Sequence, residues 1–254
     1  MSKIPWTEKT WNPVTGCTPI SAGCLNCYAK KMHARLRDNF KVEKYNHDFN
    51  EVRFHPECLK LPSACKRASM VFVNSMSDLF HEDVTNQQIC DVLSVCCAHK
   101  NVKFQILTKR AERMREFFEW HHELQPQHDW RHSENIWFGV TTENQITASN
   151  RIQHLLHSPV YIRFLSVEPM LEELSIFTYL EQLDWLVIGA ESKGAYPGRE
   201  CKIEWVRDLV RQAQEANIPV FIKQLHIDGK LIKDVNQFPE DLRLQDYPEG
   251  VKCE

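Results

Sequence analysis

The chain has 254 residues, of which 43% are apolar and 26% charged, a mixture that excludes a disordered or fibrous protein. Its 31 Lys and Arg stand against 34 Asp and Glu, a formal charge of −3. A uniformly basic nucleic-acid-coating surface is therefore excluded, while a local basic patch is not.

The first 30 residues set Trp6, Trp11, Pro13 and Pro19 around three cysteines, which reads as a rigid aromatic-rich loop. A helix is predicted from about Cys27, because Tyr28, Met32 and Leu36 recur every four residues on one face. The polar stretch over 38–69 reads as an insertion packed across one end of the core.

Short apolar segments then recur: MVFVN (70–74), KFQILT (103–108), NIWFGVT (135–141), VYIRFLSVE (160–168), DWLVIGA (184–190) and IPVFIKQ (218–224). Nearly continuous apolar character suits strands of a parallel sheet covered on both faces. Helical patterns lie between them. One follows Thr85, with Gln88 completing a capping box and Ile89, Val92, Leu93, Cys96 and Cys97 forming the inner stripe. Arg113 and Arg115 read as a wet helix face after Lys109–Arg110, or as a phosphate-binding patch. Further helices are predicted around Asn150–His157 and over Ile203–Ala216, the latter stopping before Pro219.

Two more strands fit near Trp11–Val14 and Glu51–Phe54. Eight βα units predict a TIM-like (βα) barrel as a single domain over 1–225, followed by a hairpin at Asp228–Gly229 and a tail within 226–254. The nearest rival is a doubly wound open sheet, but no glycine-rich dinucleotide fingerprint follows any strand. No apolar run of membrane-spanning length and no signal-peptide stretch occurs, so a cytoplasmic protein without membrane partners is expected.

Ten cysteines without an export signal point away from disulfides. The sharpest local signal is GCTPISAGCLNCYAKKM, with Cys17, Cys24 and Cys27. Three soft ligands without a fourth cysteine nearby suit an iron–sulfur cluster with one iron left open. A zinc site completed by His33, a redox dithiol and three unligated thiols remain alternatives. Cys96, Cys97 and Cys90 read as core, while Cys58 and Cys65 could join a second site.

The segments TWNPVTGCTPISAGCLNCYAKKM, VFVNSMSDLFHE, FQILTKRAERM, NIWFGVTTENQ, RFLSVEPM, LVIGAESKG and FIKQ together resemble the phage Gp37/Gp68-like family (DUF5131). That family in turn resembles the radical S-adenosylmethionine (SAM) superfamily of βα barrels. The resemblance implies a [4Fe–4S] cluster on Cys17, Cys24 and Cys27, with SAM on the open iron. Reductive cleavage of SAM would give a 5′-deoxyadenosyl radical. A reductant such as flavodoxin or ferredoxin, and a nucleotide or nucleic-acid substrate, are the implied partners.

In a βα barrel the carboxyl ends of the strands carry the site. The polar residues expected there to bind cofactor are Asn74, Ser75, Thr108, Lys109, Glu143, Glu168, Glu191 and Gln224, with Lys109 and Glu168 as the catalytic pair. Lys109, Arg110 or Lys223 would match an anionic group in a dry pocket. The alternative functions are a zinc-stabilised nucleic-acid-binding or adaptor module without catalysis, and a hydrolytic barrel using Glu143, Glu168 or Glu191 with a metal supplied elsewhere.

Overall fold

The computed structural model describes residues 4–38, 42–67, 69–192 and 198–248. Its strands are β1 (Lys9–Trp11), β2 (Val14–Thr15), β3 (Arg53–Phe54), β4 (Met70–Val73), β5 (Lys103–Thr108), β6 (Ile136–Thr142), β7 (Ile162–Val167), β8 (Trp185–Gly189), β9 (Val220–Ile227) and β10 (Lys230–Ile232). The helices are α1 (Tyr28–Arg37), α2 (Ser63–Lys66), α3 (Asn86–Ala98), α4 (Ala111–Leu124), α5 (Gln145–Leu156), α6 (Phe177–Leu180) and α7 (Ile203–Glu215).

The fold is α/β, built on one mixed sheet in the order β1-β4-β5-β6-β7-β8-β9-β10. All neighbours run parallel except the β9–β10 hairpin. Asp228 and Gly229 both have positive φ, as a two-residue hairpin turn of the primed type requires.

Of the expected barrel of eight βα units, the described residues show the α/β alternation and a mixed sheet. Among the described residues no ladder joins β1 to the far edge of the sheet. Val14–Thr15 pairs instead with Arg53–Phe54 in a separate two-stranded antiparallel sheet, so neither adds a strand to the main one. Pro13 lacks the N–H needed to carry the β1 ladder onward. The Val14 N–H goes to the Asn74 side-chain oxygen at 3.1 Å.

The sheet is nevertheless strongly curled. Flat strands spaced about 4.8 Å apart would put β4 and β8 roughly 19 Å from each other. Yet the Trp6 ring lies 4.7 Å from Phe72 of β4 and 6.0 Å from Trp185 of β8, centroid to centroid. Trp6 plugs a concave face formed by Met70, Phe72, Trp137, Phe164, Trp185 and Phe221. The convex face packs against α3, α4, α5 and α7 in the larger core, through residues such as Val71, Ile106, Phe138, Leu165 and Ile188. Cys96 is fully buried there, with Cys90 and Cys97 packed beside it.

Gly139 shows how tightly the concave face is filled. It pairs with Phe164 across the β6–β7 ladder, and a Cβ on it would stand 2.6 Å from the Phe164 ring.

The helix starts follow local chemistry. At α3 the Thr85 hydroxyl accepts from Gln88 N–H at 3.2 Å while the Gln88 side chain accepts from Thr85 N–H at 2.9 Å. At α5 the Asn144 and Thr147 side chains make the same reciprocal cap, which starts that helix a turn earlier than its apolar stripe indicates. Among the described residues no helix is long and apolar enough to cross a membrane.

Candidate functional site

Side chains alternate between the two faces of a strand. Carried past the strand ends, the parity of the concave face runs from Leu107 to Lys109, from Gly139 to Thr141, from Phe164 through Ser166 to Glu168, and from Phe221 to Lys223. Of these, Leu107, Lys109, Thr141, Ser166, Glu168 and Lys223, with Ile4, Trp6, Asn26, Tyr28 and Glu191, line a cavity of about 120 Å³ at the carboxyl ends of the strands. Its floor is the Trp6 layer, and Trp6 Nε1 is buried without an acceptor among the described residues.

The charges in this pocket are unevenly committed. Glu168 accepts from Lys223 Nζ at 2.5 Å across β7 and β9. Glu191 is held by Arg199 and by Asn26, whose amide donates at 2.9 Å. Burial raises the Glu191 carboxyl, but these donors outweigh it and leave its pKa below the ordinary value. Lys109 is half-buried; its backbone N–H donates to Asp78 at 3.1 Å, and its ammonium has no counter-ion among the described residues.

Of the sequence-predicted residues, Lys109, Glu168 and Glu191 therefore come together around one cavity. The others stand behind its wall. Asn74 takes a positive φ of 58° and anchors Val14. The Ser75 hydroxyl donates to Asn12 at 3.1 Å, and its carbonyl accepts from the Tyr28 hydroxyl at 2.6 Å. Thr108 donates to Asp78 at 2.7 Å. Glu143 is fully buried against Arg151 at 2.8 Å and accepts the Gly23 N–H at 3.2 Å. The Gln224 amide donates to the Ala190 carbonyl at 2.5 Å and to Ser192 at 2.9 Å. Arg110 is spent on Glu82, Asp78 and Thr18. Among the pocket residues that motif reading missed are Trp6, Phe72, Leu107 and Ser166; the period-2 parity of each strand carries the signal for the last three.

The cysteine loop corrects the central expectation. Among the described residues no group of three or more His, Cys, Asp or Glu side chains is arranged to hold a metal ion. Cys17 is bound into a polar network, its Sγ donating to the Thr18 carbonyl at 3.6 Å and standing 3.6 Å from an Arg110 nitrogen. Burial, with the Asp78 carboxylate adding to it, pushes the Cys17 thiol up to about 12 against the pull of Arg110. Cys24 Sγ lies 3.9 Å from the Ser21 hydroxyl, and Cys27 caps α1 and borders the pocket.

The [4Fe–4S] cluster on Cys17, Cys24 and Cys27 is thus overturned, and with it the radical SAM enzyme. SAM, expected on the open iron, loses its anchor. The zinc module falls on the same finding: His33 packs edge-on against Tyr45, His47 and Phe49. So does the metal-dependent hydrolase, since Glu143, Glu168 and Glu191 are each taken by a separate cation. Cys58 accepts from Lys44 at 3.1 Å, and buried Cys65 points to the Thr10 carbonyl at 3.9 Å, so no second metal site arises from them.

The family model described as "Protein of unknown function (DUF5131)" matches residues 1–237. No curated protein and no solved structure matches the chain.

Proposed function

The chain belongs to the DUF5131 family, and on that footing we propose that it binds a small anionic molecule with a flat apolar portion in the pocket at the carboxyl ends of its strands. The observation that carries this reading is Lys109, a pocket-lining cation without a counter-ion among the described residues, set beside the apolar wall of Trp6, Phe72 and Leu107. Ligands of open α/β sheets bind outside the carboxyl ends of the strands, which supports the location.

Size supports the flat ring. An apolar cavity of about 150 Å³ takes one benzene ring, and the space here is about 120 Å³. A carboxylate or phosphate on such a ring would meet the Lys109 ammonium in a charge-assisted hydrogen bond. The Glu168–Lys223 pair and the Glu191–Arg199 pair are each internally neutralised, so Lys109 sets the sign of the site.

A thermal-shift series tests this with benzoate, phenyl phosphate and benzylamine, which share a ring and differ in charge. Saturation at about 100 times Kd stabilises by roughly 2.7 kcal/mol. The two anions are expected to raise Tm by several degrees and the amine to leave it unchanged. Equal shifts by all three, or a shift by the amine alone, contradict the reading.

A further inference from the structure

A second cavity opens at the other end of the sheet. It measures about 390 Å³ and lies between α4 from Arg115 onward, the turn that precedes β6 and the segment that leads into β7. Small-molecule sites fall in the range of about 300–1,000 Å³. One wall is aromatic. The buried Trp130 ring packs 5.9 Å from Phe118, 5.0 Å from His121 and 4.4 Å from His128, centroid to centroid. Pro126 and Pro159 complete the apolar lining.

The polar lining combines two arginines, two acids and the imidazoles of His121, His122, His128 and His157. Each acid already has its cation: Glu119 pairs with Arg115 along α4, and Asp129 pairs with Arg131 at 2.8 Å. Hydrogen bonds from the Arg131 side chain and backbone N–H hold the Asp129 carboxyl down at about 2, so it stays ionised and paired. The two pairs cancel, and the sign of the cavity is left to the histidines.

Hydrogen bonding fixes which ring nitrogens can take a proton. The Trp130 indole N–H donates to His121 Nδ1 at 3.2 Å, so the neutral His121 ring carries its proton on Nε2 and is a donor. A second proton, on Nδ1, would confront the indole N–H. Burial, with His128 and His122 adding to it, also holds His121 below its ordinary value. His157 is the reverse case: its Nδ1 donates to the Gln153 carbonyl at 2.7 Å, which leaves the Nε2 lone pair to take a proton. His122 and His128 are exposed at the edge of the cavity. The neighbouring His154 is engaged by Arg115, whose Nε donates to its Nδ1 at 3.1 Å. A molecule entering the cavity therefore meets one fixed imidazole N–H and three rings that can gain a proton beside negative charge.

We infer that this cavity is a second ligand site, which takes an organic anion with a two-ring apolar body and binds it with uptake of a proton from solvent onto its histidines. The inference does not rest on the Lys109 pocket, which lies at the opposite ends of the strands.

Titration calorimetry with 1-naphthalenesulfonate tests it. The sulfonate stays charged throughout, and two fused rings exceed the Lys109 pocket, whose roughly 120 Å³ suits a single ring. An imidazole that gains about one unit on meeting the anion strengthens binding roughly sixfold between about pH 8 and pH 6. That gain is expected, with a heat of binding that changes between buffers of low and high ionisation enthalpy. The 1-naphthylmethylammonium ion, with the same rings and the opposite charge, should bind at least about tenfold more weakly at the lower pH. The triple variant His122→Gln, His128→Gln and His157→Gln removes three exposed rings, so a circular-dichroism melt like the parent's is expected. Its pH gain and its buffer dependence should vanish while binding at the higher pH persists. If that melt falls, the three single variants serve in its place, and the gain must shrink in at least one of them. No binding of the sulfonate at the lower pH, equal binding of the ammonium ion, or an undiminished gain in the folded variants overturns the inference. Benzoate binding at Lys109 is read separately, so either site can fail without the other.

Discussion

Replacing Arg151 by Met tests whether the buried Glu143–Arg151 pair ties the cysteine loop to the sheet. Glu143 has no exposed surface, and one of its oxygens takes Arg151 at 2.8 Å. The other accepts the Gly23 N–H at 3.2 Å, which bridges β6 to the loop carrying Cys24. Arg151 also donates to the Thr141 carbonyl at 2.6 Å. Removing the cation leaves a buried carboxylate uncompensated, which costs about 3–5 kcal/mol. For 254 residues the unfolding entropy is roughly 0.5 kcal/mol/K, so Tm should fall by about 6–9 °C. The assay is a circular-dichroism melt of Arg151→Met, Glu143→Gln and the double variant. Removing both charges takes away the uncompensated carboxylate, so the double variant should recover much of the loss. A fall below about 2 °C in Arg151→Met, or no recovery in the double variant, would refute the reasoning.

Three further outcomes follow from the packing and the titrating groups. Gly139→Ala drives a Cβ into the Phe164 ring; overpacking costs about 1–3 kcal/mol, read as a lower urea midpoint, and Phe164→Leu should restore part of it, whereas an unchanged midpoint means the ring is free to move. Burial, reinforced by nearby positive charge, holds the imidazoles of His33, His55 and His81 below their ordinary value. Their contribution is therefore fully present above the unfolded value of about 6.5 and is lost as pH falls through the lower folded values; the urea midpoint should drop on acidification, more shallowly in His33→Gln, and a midpoint that rises toward pH 5 contradicts this. Because Cys17 moves from 9.0 to about 12, its thiolate fraction at pH 8 is lower by about a thousandfold, and iodoacetamide labelling followed by peptide mass analysis should find it last among the three loop cysteines. Labelling of Cys17 ahead of the other two would contradict a thiol raised by its surroundings.

Much of the sheet was legible because its strands are apolar runs flanked by polar ends. The segments at 70–74, 103–108 and 184–190 each contain an observed strand, namely Met70–Val73, Lys103–Thr108 and Trp185–Gly189. Closure was not legible. Whether Val14 and Phe54 extend the main sheet depends on Pro13 and on a long-range bond from Val14 to Asn74, which no local pattern encodes. The start of α5 was hidden because Asn144 and Thr147 cap it with side chains that also read as polar strand-end residues. At the site, their position at strand ends marked Lys109 and Glu168 as candidates, but the 2.5 Å pairing of Glu168 with Lys223 joins residues 55 apart in sequence. The cysteine triplet misled for a related reason. Spacing reports which thiols can approach one another, whereas Cys17 is governed by Asp78 and Arg110 from other strand ends.

Isothermal titration of benzoate into the wild-type protein and into Lys109→Gln addresses the pocket most directly. Loss of a hydrogen bond to a charged group costs about 1.5–3 kcal/mol, so the variant should bind benzoate roughly 10- to 150-fold more weakly while keeping its melting temperature. Equal affinity in the two proteins, or no heat of binding in either, would contradict an anion site built on Lys109.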